Sequence, residues 1–145
     1  MVETSIGEEL VMGIVLGFVL MEIFSVFVHK YFFHGVFWFI HKTHHQKRNH
    51  WWETNDLFSL FFGSLAVGFI FYGRQWDHSF LEQVGWGISI YGIIYFFIHD
   101  LMTHRRYYPL SAPKGWIFKK VQEHRKHHQK NDKKGQGPWG LFSGF

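Results

Sequence analysis

The chain has 145 residues, 47% hydrophobic and 21% aromatic, with a formal net charge of +4 and no cysteine. That length supports a single domain, expected over 1–145, and the missing cysteine excludes disulfides, thiolate zinc sites and iron–sulfur clusters. The positive charge does not imply nucleic acid: no such binding motif is visible, and Lys and Arg beside apolar runs set topology or meet anionic headgroups.

In chain order, residues 1–9 form a polar lead holding Glu3, Glu8 and Glu9. Residues 10–28 are apolar except for Glu22, long enough to cross a bilayer core. Without a charged leader or a small-residue cleavage site, the run reads as a retained span rather than a signal peptide. Gly13 and Gly17 stand at a spacing that allows close helix packing. The same helix is expected to carry His29 and His34, with Gly35 as a break. Residues 37–45 then suggest a short aromatic-rich interfacial helix bearing His41, His44 and His45. A polar stretch, 47–56, leads back into the membrane at Leu57. Residues 57–72 and 84–98 are shorter apolar runs that reach span length by extending into flanking aromatics or meeting a thinned bilayer. Between them, 73–83 is a turn with Arg74, Asp77, His78 and Glu82. His99 and His104 follow the third run, and Pro109 and Pro113 bracket a loop. Residues 116–130 are basic and helical, with His124, His127 and His128. The Gly- and Lys-rich 130–140 reads as a mobile loop before a short apolar tail.

Three apolar runs in so short a chain leave little polar surface to wrap them. The expected fold is an all-α integral membrane protein with three transmembrane helices and a histidine-rich helical cap. Residues 36–40 leave room for a fourth, short or re-entrant, helix. Of the fifteen Lys and Arg, only Arg74 lies outside the segments carrying histidine clusters. By the positive-inside rule the N-terminus is outside and the cap is cytoplasmic.

Ten of the twelve histidines fall in four clusters, ordered HxxxxH, HxxHH, HxxxxH, HxxHH. They are His29 and His34; His41, His44 and His45; His99 and His104; His124, His127 and His128. Neutral imidazole is a common metal ligand, and ten exceed what one ion uses. On a helix, i, i+3 and i+4 share a face, so each HxxHH presents three rings to one side. Five residues amount to about 140° on a regular helix, so each HxxxxH needs a helix end, a bulge or a two-sided approach. His50 and His78 stand outside the pattern, the first as a solvated loop residue and the second on the opposite side of the membrane. An all-nitrogen shell suits zinc, iron, copper or nickel. Two ions with high coordination and room for water or oxygen favour iron. Glu22, two turns before His29, is an intramembrane carboxylate of the kind that usually serves function. With Asp56 and Asp100 it is a candidate to hydrogen-bond a ligating ring. Tyr95, one turn before His99, is a candidate to line a substrate path.

These features resemble the bacterial β-carotene hydroxylase group of the fatty acid hydroxylase/sterol desaturase superfamily. The resemblance rests on Met21 and Glu22 leading into His29, Lys30, Tyr31, His34 and Gly35; on Asn55, Asp56 and Leu57; on Tyr91, Gly92, Tyr95, Phe96, His99, Asp100 and His104; and on His124, Arg125, His127 and His128. It implies O2-dependent 3-hydroxylation of β-ionone rings, from β-carotene through cryptoxanthin to zeaxanthin, with two non-haem irons. It also implies an external electron donor and a bacterial inner-membrane location. The tail 137–145 departs from the group's pattern, which bears on substrate preference. A ferredoxin-type acidic donor would suit the basic face, and a carotenoid would enter from the lipid. Related alternatives are a carotenoid ketolase and an acyl or sterol hydroxylase or desaturase. A metal transporter or sensor fits less well, because transporters distribute polar groups through the depth of their spans.

Overall fold

A computed structural model of the chain describes residues 2–46, 51–107 and 110–143, the side chains of 2–10 apart. Helix α1 (Val2–Phe27) continues into a π-helical segment, Val28–Val36, followed by a short α2 (Trp38–His41). Then come α3 (Asp56–Gln75), α4 (Ser79–Tyr95), a second π-helical segment (Phe96–Thr103) and α5 (Gly115–Gln129), with no strand among the described residues. His50 and Pro109 lie outside the described residues.

Among the described residues three stretches are long and apolar enough to cross a membrane: Val11–Val36, Asp56–Gln75 and Ser79–Thr103. The two shorter runs gain length because mostly polar flanking residues stay helical: Asp56 and residues 73–75 for one, 79–83 and 99–103 for the other. They reach 20 and 25 residues, about 30 Å or more at 1.5 Å per residue. Helix α2, the place left open for a fourth span, has four residues; at about 6 Å it cannot cross a bilayer. The chain is an all-α integral membrane protein.

Two compact units emerge from the packing. The first comprises Met1–Met21 and Phe58–Ile93. Its helices meet where side chains are missing. A Cβ on Gly17 would strike the Val84 backbone, and one on Gly87 would strike the Ile14 carbonyl and the Phe18 amide. Glycine therefore permits backbone-to-backbone approach in a lipid setting where close packing drives association. Phe18 meets Tyr91 edge-on at 5.5 Å between centroids, and Tyr91 is buried. Val15, Phe61, Val67 and Phe71 remain exposed, as lipid-facing residues are.

The second unit comprises Glu22–Leu57 and Ile94–Phe145. Its interior is mostly polar: His29, His34, His41, His44, His45, His99 and His127 are buried, beside a few apolar residues such as Val121 and Leu141. Groups of that kind are tolerated inside a protein only when hydrogen-bonded or ligating. The histidines are therefore the core of this unit. The stretch 130–140, expected as a mobile loop, is instead folded onto them, because its backbone carbonyls find imidazole donors there.

Candidate metal centre

Both HxxxxH pairs sit on π-helical turns. The wider i→i+5 hydrogen bonding brings the fifth residue back to nearly the same face, which removes the mismatch expected of a regular helix. In the second pair the His104 amide donates to the His99 carbonyl at 3.0 Å, tying the ends of the box together. In the first segment the Phe37 amide donates to the Phe32 carbonyl at 2.8 Å, and Gly35 takes a non-helical conformation (φ −107°, ψ −117°). The ring centroids then lie 5.2 Å apart for His29 and His34, and 4.6 Å for His99 and His104.

The ten rings divide into two sets of five. His29, His34, His41, His45 and His127 form one; His44, His99, His104, His124 and His128 form the other. Within each set one ligand atom per residue lies within 4.8 Å of all the others. Each set takes one HxxxxH pair and the first and last histidines of the HxxHH that follows it. The middle histidine crosses over: His44 joins the second set and His127 the first. The three rings of an HxxHH thus share a side yet serve two clusters. The sets adjoin, with His45 stacked on His128 at 4.2 Å.

For five of the ten rings, outer hydrogen bonds decide which nitrogen turns inward. His44 Nδ1–H donates to Glu53 Oε2 at 2.9 Å, and His99 Nδ1–H to Asp100 Oδ1 at 3.1 Å. His41 Nδ1–H donates to Asn55 Oδ1 at 2.7 Å and His29 Nδ1–H to the Trp139 carbonyl at 2.8 Å. His127 Nδ1–H donates to the Gln136 carbonyl. A neutral imidazole with its proton on Nδ1 carries a lone pair on Nε2. The Nε2 atoms face one another: His44 and His99 at 3.0 Å, His124 and His128 at 2.9 Å, His34 and His127 at 3.3 Å, His41 and His45 at 3.3 Å. Two lone pairs at that distance repel, and a cation between them turns the repulsion into ligation. Nitrogens ~2.1 Å from one ion and at right angles about it are about 3.0 Å apart, close to the observed spacing. His29 Nε2 is buried without a hydrogen-bond partner. The donor sets therefore fit metal ions, with the outer acceptors that ligating histidines commonly have.

Electrostatics favours the same state. Burial holds His41, His44, His124 and His128 well below the usual imidazole value. It brings His45 down to about 3 and His127 to about 4, with neighbouring rings adding to the effect. These rings are neutral, hence ligand-ready, across the physiological range.

The other expected residues take several positions. Asp100 touches a ring directly. Asp56 acts one step away: Arg106 grips both its oxygens at 2.5 and 2.6 Å and reaches Asp100 Oδ1 at 3.3 Å. Burial opposes the charge on Arg106, but Asp56 and Asp100 overcome it and hold the guanidinium above its usual value. Glu22 accepts four hydrogen bonds from the C-terminal tail, donated by the amides of Leu141, Phe142 and Ser143 and the Ser143 hydroxyl, at 2.7 to 3.2 Å. Its link to the rings runs through that tail. Tyr95 stacks on His99 at 4.4 Å and lines a pocket with Ile98, Trp139 and Leu141 that reaches His29, His99 and His124. His78 is exposed in the turn before α4. Sequence reasoning missed Glu53, Arg106 and the carbonyls of Gln136 and Trp139. Arg106 looked like one more topological base, and backbone carbonyls leave no residue-type signal.

Residues 14–145 match the family described as Fatty acid hydroxylase. The chain is 35% identical over 125 residues to a β-carotene hydroxylase of Pantoea ananas, covering 84% of this chain and 70% of that protein. It is 32% identical over 132 residues to a β-carotene hydroxylase of Pseudescherichia vulneris, covering 89% and 73%. Over 143 residues it is 36% identical to a chloroplastic β-carotene 3-hydroxylase of Haematococcus lacustris, covering 93% of this chain and 42% of that protein. No solved structure matches.

Proposed function

The chain belongs to the fatty acid hydroxylase family, and from that premise we propose that it is a membrane diiron monooxygenase that 3-hydroxylates the β-ionone rings of carotenoids. The observation that carries this reading is the pair of five-histidine sets opening on one pocket. Iron in both sets would supply O2 activation and oxidation of an unactivated C–H bond. The balance is R–H + O2 + 2e⁻ + 2H⁺ → R–OH + H2O, so two electrons come from an external carrier.

The chain's own residues supply position. Ile98, Leu141, Tyr95 and the Trp139 ring give the pocket apolar walls that exclude water; the cavity holds about 20 Å³, so these side chains part to admit a hydrocarbon ring. His29, His99 and His124 border the same space, so a ring seated there would lie against both sets. Asp100, Glu53 and Asn55 keep the ring protons of His99, His44 and His41 outward and the lone pairs inward. The substrate would enter laterally from lipid. The distribution of Lys and Arg supports a cytoplasmic cap in a bacterial inner membrane with the N-terminus outside.

Expression in cells that accumulate β-carotene, followed by pigment chromatography, tests the activity. Cryptoxanthin and zeaxanthin are expected. Keto-carotenoids, or unchanged β-carotene beside metal-loaded folded protein, would overturn the reading.

A further inference from the structure

The two histidine sets differ in what surrounds them. In the second set, His44 and His99 donate to the carboxylates of Glu53 and Asp100. In the first, His29 and His127 donate to backbone carbonyls of one irregular segment, Trp139 and Gln136. That segment touches a third member as well. Gly135, at φ +57°, lies so near His34 that a Cβ there would meet Nδ1 at 2.6 Å. The Trp139 ring stands 4.9 Å from His34, 5.4 Å from His29 and 5.3 Å from His127. Three of the first set's five imidazoles are thus oriented by residues 135–139.

An irregular segment cannot hold such geometry by itself, since it lacks a helix ladder to fix its carbonyls. Its far end is held by Glu22. One carboxylate oxygen, Oε1, accepts from the Phe142 amide at 3.0 Å and from the Ser143 amide and hydroxyl at 2.7 Å each, while Oε2 accepts from Leu141 at 3.2 Å. A charged acceptor serving several donors is among the stronger hydrogen-bonded anchors available. Gly140 completes the socket, because a Cβ there would collide with the Ser143 hydroxyl, the Glu22 carboxylate and Val26.

We propose that Glu22 is a positioning residue for the first histidine set alone: it anchors the C-terminal strap 130–143, whose carbonyls orient His29 and His127, and so governs retention of that set's ion. The inference rests on the reading that each set holds a metal ion.

The test is metal content per chain of purified, monodisperse protein, alongside pigment turnover. Wild type should carry about two ions and Glu22→Ala about one, because losing outer hydrogen bonds typically costs 10- to 100-fold in metal affinity. Glu22→Gln keeps Oε1 and should fall between them. Adding His34→Ala to Glu22→Ala should remove no further metal, whereas adding His104→Ala should remove the remaining ion. Gly140→Val displaces the strap while leaving Glu22 in place, and should reproduce the selective loss if Glu22→Ala fails to fold. Retention of both ions in Glu22→Ala and Gly140→Val overturns the proposal. So does loss of both together, which a general structural role would produce. Fewer than two ions in wild type would instead sink the two-ion reading on which the inference stands.

Discussion

At the scale of single residues, the HxxHH boxes owe their behaviour to the angle between successive side chains. Neighbouring residues on a helix are about 100° apart, while i and i+4 differ by about 40°. The first and last histidines of a box can therefore face one ion, while the middle one, on the same side but turned about 60° the other way, reaches the second. In α5 this sends His124 and His128 to one set and His127 to the other. The consequence is a pairing that chain proximity does not suggest. His41→Ala combined with His127→Ala, both in the first set, should cost about as much metal as either alone. His41→Ala combined with His124→Ala should empty both sets. Each single change should lower turnover by no less than the ~10- to 100-fold that losing a ligand's outer partner costs. Metal analysis of the three single and two double variants checks this, and equal loss in the two double variants would contradict the partition.

At the scale of elements, π-helical turns answer the five-residue spacing. The mismatch on a regular helix was visible in the sequence, which left open a departure from α geometry, by a helix end or a bulge, or a two-sided approach. Which departure depended on the hydrogen bonds of each turn, such as the one from the His104 amide to the His99 carbonyl, and those follow from how the segment packs. Close helix contacts were legible in part. Gly13 and Gly17 stand at a recognisable spacing, but Gly87 gives no such signal, and its approach to Ile14 and Phe18 appears only in the folded unit. Gly87→Val should lower stability by about 1–3 kcal/mol through overpacking. Gly63→Ala, where nothing lies within 4 Å, should be neutral or stabilising. Thermal denaturation in detergent distinguishes the two, and equal effects would show that the close approach is not limiting.

At the scale of the whole molecule, apolar residues face outward along the spans and the buried polar residues are chiefly histidines and their acceptors. The basic face expected to receive an electron donor is narrower than the charge count implies. Lys120 is turned inward, its side chain 10% exposed and paired with Glu123, and it lines the pocket. Arg125 donates to the carbonyls of Met102 and Thr103. On and beside α5, Lys119, Lys126 and Lys130 are among the exposed bases, and we propose that an acidic, ferredoxin-type carrier would dock there. Reversing their charge together should slow electron delivery and flatten its salt dependence. An unchanged rate and salt response would dismiss that carrier. A cysteine placed at Lys126, in a chain that has none, should be labelled from the cytoplasmic side alone; labelling from outside would reverse the assigned orientation.

By itself the sequence determined the spans, the ten histidines and their fitness to bind metal, because hydropathy, ligand chemistry and spacing are local properties. Tertiary structure alone decided the five-and-five partition, the backbone carbonyls and Glu53 behind the rings, and the hold of Glu22 on the C-terminal tail. Several of these contacts join groups far apart in the chain, as with Glu22 and Ser143 or His29 and Trp139. Such pairings depend on where the backbone brings its atoms together, and no residue carries that information alone.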